Sequence, residues 1–318
     1  MARMILRRLL LAVPTLVIVS ALTFGLLHMT PGDPARVIAG PGASAEQLAS
    51  VRERLGLDRP LIEQFSTWVA DSFSGHLGQS LYNRLPVSEL IVQRLPVTLS
   101  LVVLAMLIAV AIGVPLGLLA GMRKDRALDR ALTIFAVSGV AVPSFFLGLV
   151  LLALLTGDGS IFPVGGYTSF TEDPWQWFMH LVLPAFTLSL PPMAEIARQM
   201  RSGVVDVSAR EYVRSAEAKG LRPVTVAVKH IARNASMPVV TVFGLQLSHI
   251  IGSAVIVETV FNMPGVGTLL IHSVFQRDMP VVQGTVLFTT LVVVLVNLAV
   301  DMWYGWLDPR VRAAGGTS

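Results

Sequence analysis

Long apolar stretches alternate with polar, charged or turn-forming segments along the whole chain. Most of these stretches approach the roughly 20 residues that an α-helix needs to cross the hydrocarbon of a bilayer. The pattern therefore predicts an all-α, polytopic membrane protein with about six transmembrane helices. The predicted spans are residues 9–27, 97–119, 131–156, 181–194, 237–257 and 281–300.

The fourth stretch, 181–194, is short and contains three prolines, so its length alone would also suit a buried or re-entrant piece. Charge decides between these alternatives, because short cytoplasmic loops are enriched in Lys and Arg. With the amino terminus inside, six crossings place 17 of the 24 basic residues in inner segments, whereas without the fourth crossing only eight lie inside. We therefore expect six crossings and cytoplasmic amino and carboxyl termini. The first stretch is long enough to be a retained helix rather than a signal peptide.

These spans suggest three parts of the chain. Residues 1–95 hold the first transmembrane helix and an external segment, in which a Ser44–Gln47 capping box begins one amphipathic helix and Gly56 ends it. Residues 96–306 form a five-helix transmembrane core with a cytoplasmic loop at 198–236, and residues 307–318 form a cytoplasmic tail. The external helices either pack on the protein and lipid surface or dock an external partner.

Small residues recur at helical spacing in two of the spans. Gly113, Gly117 and Gly121 lie on one face of the second helix, and Gly244, Ser248 and Gly252 repeat that spacing on the fifth. Such stripes let helix backbones approach closely in lipid, where the hydrophobic effect does not drive association. They predict a tightly packed bundle.

Composition excludes several classes of function. Hydrophobic residues make up 53% of the chain and charged residues only 14%, which a soluble domain of this size would not show. The net charge of +4 is not arranged in any nucleic-acid-binding pattern, and cysteine is absent. Neither a catalytic motif nor an ATP-binding motif occurs, and the six histidines have no metal-ligand spacing. We expect a non-catalytic chain without a metal or a cofactor of its own.

The cytoplasmic loop contains the most informative segment, 211–221. Good helix formers run through Arg214 to Lys219, Gly220 stands at a C-terminal stop, and Pro223 prevents continuation. The segment predicts a short, freestanding helix whose small alanines enter a groove on a partner. An ordinary surface-loop helix has the same local signals.

Short motifs keep a fixed order across nearly the whole chain. They are Pro31-Gly32-Asp33-Pro34, Leu55-Gly56-Leu57-Asp58, Leu77-Gly78-Gln79-Ser80, Arg94-Leu95-Pro96, Pro143-Ser144-Phe145, Tyr212-Val213, Ala216-Glu217-Ala218-Lys219-Gly220-Leu221, Arg233-Asn234-Ala235, Glu258 with Phe261, Pro264-Gly265, Arg277-Asp278 with Pro280, and Asp308-Pro309-Arg310. This order resembles that of B-type permease subunits in the oligopeptide, dipeptide and nickel branch of binding-protein-dependent ABC importers. Arg214-Ser215-Ala216 stands where the general importer motif has Glu-Ala-Ala, and this departure is similar to what the peptide branch shows.

The resemblance implies the type I importer fold in a bacterial inner membrane and a set of partners. These are a second homologous permease, two ATPase subunits or domains that hold ATP and magnesium, and an extracytoplasmic substrate-binding protein that delivers a peptide. Nickel, glutathione or an opine is the alternative substrate. By the same resemblance, the residues that seat the loop helix in an ATPase cleft are Glu211, Tyr212, Ala216, Glu217, Ala218, Lys219 and Gly220.

The translocation pathway has fewer signals in the sequence. Pro143, followed by Ser144, is expected to kink the third span and free a carbonyl; Ser248 and His249 are polar groups on the fifth span. Asn262 and Met263 begin an external turn that would serve as a gate. Packing roles explain the same residues equally well. An ion-coupled secondary transporter would need ionisable groups at membrane depth, where His249 is the main candidate, and a membrane enzyme would need a catalytic group.

Overall fold

The computed structural model describes residues 2–29, 34–40, 42–157 and 160–307. Helices joined by turns make up these residues, and no β-strand forms among them. The predicted all-α, polytopic fold is therefore confirmed. In chain order the helices are α1 (Ala2–Met29), α2 (Pro34–Ala39), α3 (Ala45–Leu55), α4 (Leu61–Phe73), α5 (Val87–Met122), α6 (Ala127–Ala141), α7 (Ser144–Leu155), α8 (Pro174–Ser208), α9 (Glu211–Ala218), α10 (Pro223–Thr225), a π-helix (Val226–Ala232), α11 (Arg233–Ala235), α12 (Met237–Val260), α13 (Val266–Gln276) and α14 (Met279–Leu307).

Four helices are both long and apolar enough to cross a bilayer within the described residues, namely α5, α8, α12 and α14 up to Val300. They correspond to the second, fourth, fifth and sixth predicted spans. The first predicted span, residues 9–27, lies within α1 (Ala2–Met29). The third predicted span is not one helix, because the chain breaks between Ala141 and Ser144 into α6 and α7.

This break corrects the expectation of a kink at Pro143. Pro143 has extended backbone angles, φ −59° and ψ 130°, and directly precedes α7. Its carbonyl accepts the first hydrogen bonds of α7, from the N–H groups of Phe146 (3.1 Å) and Leu147 (3.3 Å). A proline ring disfavours the helical conformation of the residue before it, so the helix ends there and restarts.

The fourth span is much longer than its apolar stretch, because α8 continues from Pro174 to Ser208 with three internal prolines. Of the four long spans it is the least apolar and yet the most buried inside the chain. A helix that is surrounded by protein rather than lipid needs fewer apolar residues on its outside. Burial explains why this span looked marginal in sequence.

Residues 97–264 form one compact unit around α8. Its core joins apolar side chains of α5, α8 and α12, including Leu101, Leu181, Leu188 and Ile250. The glycine face of α5 lies directly on α8: a Cβ added to Gly113 would come 2.8 Å from the Met193 carbonyl oxygen. The predicted use of this stripe for close packing is confirmed.

The described residues within 1–96 and 265–307 form the other compact unit. Its small core contains Val87, Leu90, Ile91 and Val281. In the external segment, both hydrogen bonds of the predicted capping box form between Ser44 and Gln47. Gly56 ends α3 in the left-handed conformation, with φ +65°.

Contacts inside each unit join segments that the topology places on the same side of the membrane. Asp129 binds Arg201, and both lie in predicted inner segments or at their edge. Ser80 binds Asp278, and both lie in predicted outer segments. Such pairing agrees with the order of crossings predicted from the basic residues.

Candidate functional site

The cytoplasmic segment between α8 and α12 folds as a compact series of short helices. Its first helix, α9, carries Glu211 in the first turn, where a carboxylate faces the positive end of the helix dipole. The helix ends in a two-bond cap: Gly220 N–H donates to the Glu217 carbonyl (2.9 Å) and Leu221 N–H donates to the Ala216 carbonyl (3.4 Å). Gly220 makes this possible by adopting φ +74°. The predicted helix and its stop therefore form.

One face of α9 is packed against the chain itself. Val213 is 1% exposed and Ala216 is 7% exposed, and both join a core cluster with Met200 and Val204 of α8 and Ile231 of the π-helix. The expectation of a freestanding helix is therefore wrong. Ala216 faces the permease core rather than a partner groove, because Val213 and Ala216, three positions apart, share the apolar face of the helix.

The opposite face of α9 is open to solvent. Glu211, Tyr212, Glu217, Ala218, Lys219 and Gly220 are all exposed, so each is accessible to a partner protein. This face combines acidic, basic and aromatic groups around the cap at Gly220. Six of the seven residues predicted to seat the helix thus lie on the accessible side.

Asn234 links α9 to the helices that lead into α12. Its side-chain amide donates to the Tyr212 hydroxyl (3.1 Å) and to the His230 carbonyl (2.8 Å), which belongs to the π-helix. The next residue, Ala235, is buried and lies so close to Gly203 of α8 that a Cβ on Gly203 would be 2.6 Å from its carbonyl oxygen. The sequence had singled out Asn234 only as part of a motif.

An ion pair with a buried carboxylate connects the first turn of α6 to the cytoplasmic end of α8. The Arg201 guanidinium donates to both oxygens of Asp129, at 2.5 and 2.8 Å, and the Asp129 side chain is 4% exposed. The hydrogen bond from Arg201 lowers the pKa of Asp129 to about 2, and the backbone N–H of Asp125 adds to the effect against the opposing cost of burial. The sequence analysis missed this pair, whose members lie 72 positions apart in the chain.

The residues predicted to line or gate the pathway occupy different environments. Pro143 and His249 are exposed, while Ser144 and Ser248 are half-buried. Asn262 is exposed in the left-handed region with φ +48°, whereas Met263 is 1% exposed and donates its N–H to the Glu258 carbonyl (2.8 Å). Met263 is therefore a structural anchor of the turn.

Glu258, which the sequence analysis named only as part of a motif, is fully buried. One of its carboxyl oxygens accepts a hydrogen bond of 2.5 Å from the Thr98 hydroxyl. The Phe261 carbonyl nearby accepts the N–H of Gly166 (3.2 Å), and Gly165 lies so close to Phe261 that only a glycine fits there. Contacts with Thr98 and with the Gly165–Gly166 segment therefore fix the end of α12 and the turn that follows it.

Comparison with known proteins identifies the family of this arrangement. Residues 113–313 match the family described as binding-protein-dependent transport system inner membrane component, and residues 1–102 match its amino-terminal region. The chain belongs to this permease family. Like other members it is a multi-pass protein of the inner membrane.

Two relatives illustrate the likeness of the permease to named transporters. A Sinorhizobium fredii protein named "probable peptide ABC transporter permease protein" is 41% identical over 308 residues, which are 97% of this chain and 98% of the relative. The Escherichia coli glutathione transport system permease protein GsiC is 42% identical over 312 residues, which are 98% of this chain and 99% of the relative. The similarity thus extends along essentially the whole permease.

Proposed function

We propose that this permease forms half of the translocation pathway of an ATP-driven importer for di- or oligopeptides. A second, homologous permease supplies the other half, and an extracytoplasmic substrate-binding protein delivers the peptide. Membership of a binding-protein-dependent family and the full-length similarity to a peptide permease support this proposal. Glutathione, itself a tripeptide derivative, is the second candidate substrate, because the glutathione permease is as similar as the peptide permease.

Energy comes from two partner ATPases, which bind ATP and magnesium, while this chain has no catalytic role. The observation that carries this part of the proposal is the two-sided construction of α9. Its apolar face, with Val213 and Ala216, is buried against α8 and the π-helix. Its polar face is exposed and therefore accessible to an ATPase cleft.

This construction also indicates how movement is transmitted. A rigid helix that is packed into the core cannot shift without displacing the side chains that it contacts. When the ATPases close on ATP, the force on the exposed face of α9 passes through Val213 and Ala216 to α8, and through Asn234 to the start of α12. The two helices then move between inward-open and outward-open arrangements, which requires that the ATPases interact differently with the two states.

Replacement of Gly220 tests this coupling role. A Cβ on Gly220 would meet no atom within 4 Å, so substitution strains only the backbone at φ +74°. We expect Gly220→Val to lose the cap at a cost of about 1–2 kcal/mol or more. Gly220→Asn is the matched control, because asparagine tolerates the left-handed conformation.

The assay measures uptake and transport-stimulated ATPase activity of the assembled transporter in proteoliposomes. In Gly220→Val both should fall together while the permease remains inserted, whereas Gly220→Asn should retain most of both. Normal coupling in Gly220→Val would contradict the proposed role. Reconstitution without ATPases serves as a further control, since uptake in their absence would indicate an ion-coupled carrier. Mass spectrometry of the ligand held by the co-purified binding protein distinguishes peptide from glutathione.

A further inference from the structure

The buried carboxylate of Asp278 joins two sequence motifs, Leu77-Gly78-Gln79-Ser80 and Arg277-Asp278, that have no part in the coupling mechanism. Asp278, 2% exposed, lies 198 positions from Ser80, 4% exposed. Its side chain accepts hydrogen bonds from the Ser80 hydroxyl (2.5 Å) and from the Leu81 backbone N–H (3.1 Å). Burying a carboxylate is costly unless hydrogen bonds satisfy it, so this contact fixes the loop that contains Ser80.

The loop itself, residues 79–86 and hereafter the clasp loop, is hydrogen-bonded throughout. The Leu81 N–H donates to Asp278, and every other backbone N–H from Ser80 to Leu85 donates to an acceptor inside the loop. At the base of the loop, the Val87 N–H donates to the Gly78 carbonyl (3.0 Å). Arg84 is held in the left-handed region with φ +59°, which is unfavourable for a residue with a long side chain. The clasp loop is thus rigid and slightly strained.

The rigid backbone presents its side chains outward. Tyr82 is 59% exposed and Leu85 is 38% exposed, and Asn83 and Arg84 are exposed beside them. Tyrosine and arginine are the residue types that most often dominate the energy of protein–protein binding. A loop whose conformation is already fixed loses little entropy on binding, which favours recognition.

We propose that the clasp loop is a docking element for the extracytoplasmic substrate-binding protein, with Tyr82, Arg84 and Leu85 as its contact residues. This inference rests on the proposed function, because it assumes such a partner. The loop belongs to an outer segment, and ten helical residues of α5, a rise of about 15 Å, separate it from the apolar stretch that begins at Val97. That distance, and a single basic residue among aromatic and apolar ones, fits a soluble protein better than lipid headgroups.

The test measures binding of the assembled transporter, in lipid nanodiscs, to the immobilised substrate-binding protein that co-purifies with it. We expect Tyr82→Ala and Arg84→Ala each to weaken binding at least about tenfold. Ile161→Ala is the matched control, because Ile161 is 78% exposed in the predicted outer segment between α7 and α8 and lies outside the loop. It should bind like the wild type.

A second variant tests the role of the buried carboxylate. Asp278→Ala removes both acceptors, so we expect weaker binding together with faster trypsin cleavage after Arg84, which the fixed loop of the wild type should resist despite its exposure. Wild-type affinity in Tyr82→Ala and Arg84→Ala would overturn the proposal. So would loss of the second permease from the purified variants, since the loop would then contact that subunit instead.

The same measurements separate this proposal from the proposed function. If the wild-type transporter neither binds nor is stimulated by any substrate-binding protein, the proposed function fails and the docking proposal fails with it. If the wild type binds and the loop variants bind equally well, only the docking proposal fails. Gly220→Val should bind the protein normally, because its defect lies on the cytoplasmic side.

Discussion

Close packing of α5 on α8 gives the sharpest quantitative prediction, through Gly117→Ala. A Cβ at position 117 would lie 2.4 Å from the Ala197 carbonyl oxygen and 2.7 Å from the Met200 Cβ. Favourable contacts between non-bonded heavy atoms lie near about 3.5 Å, so the added methyl overlaps its neighbours by about 1 Å. Both neighbours belong to a buried helix, which has to move away as a whole.

Overpacking of this kind typically costs about 1–3 kcal/mol. Alanine also gains about 1 kcal/mol over glycine in helix propensity, and this gain applies wherever the substitution is made. Gly252→Ala on α12 is the matched control, because a Cβ there meets nothing within 4 Å. The control should therefore be neutral or slightly stabilised, and Gly117→Ala should be less stable than it by about 1–3 kcal/mol.

Thermal unfolding of the purified permease in detergent, followed by tryptophan fluorescence, measures this difference. We expect Gly117→Ala to melt a few degrees below Gly252→Ala, since about 1 kcal/mol shifts Tm by about 2–4 °C in chains of about 150–250 residues and by somewhat less in a longer chain. Equal Tm values for the two variants would refute the close contact between α5 and α8.

The remaining predictions concern the cytoplasmic side. Arg201→Ala should destabilise the permease by about 1–3 kcal/mol, because it leaves the buried Asp129 carboxylate without its main donor; an unchanged Tm would contradict this. Because the pKa of Asp129 is lowered to about 2, the stability that this pair contributes is present above about pH 4 and is lost only as the pH falls through about 2. The Tm of Asp129→Asn should therefore lie below that of the wild type by the same amount at about pH 6 and about pH 8. Tyr212→Phe removes the hydroxyl that accepts the hydrogen bond from Asn234, and it should reduce transport-stimulated ATPase activity without affecting co-purification of the ATPases. The double variant Tyr212→Phe/Asn234→Ala should be no worse than Asn234→Ala alone. An additive loss would show that the two residues act separately.

Local signals were sufficient for much of the fold. Apolar length and the placement of basic residues predicted the spans and their order, and cap residues predicted both ends of α3 and the stop of α9 at Gly220. These features depend on side chains within a few positions of each other or on transfer into lipid. Sequence can therefore encode them directly.

The tertiary structure alone decided which surfaces are buried. From the sequence, Ala216 was expected to enter a groove on a partner, but the packing of Val213 and Ala216 against α8 and the π-helix shows that this face belongs to the core. In the same way, the link between Ser80 and Asp278 joins residues 198 positions apart, and the marginal fourth span is explained by the protein around it. Burial is set by contacts between distant parts of the chain, and no local pattern specifies those contacts.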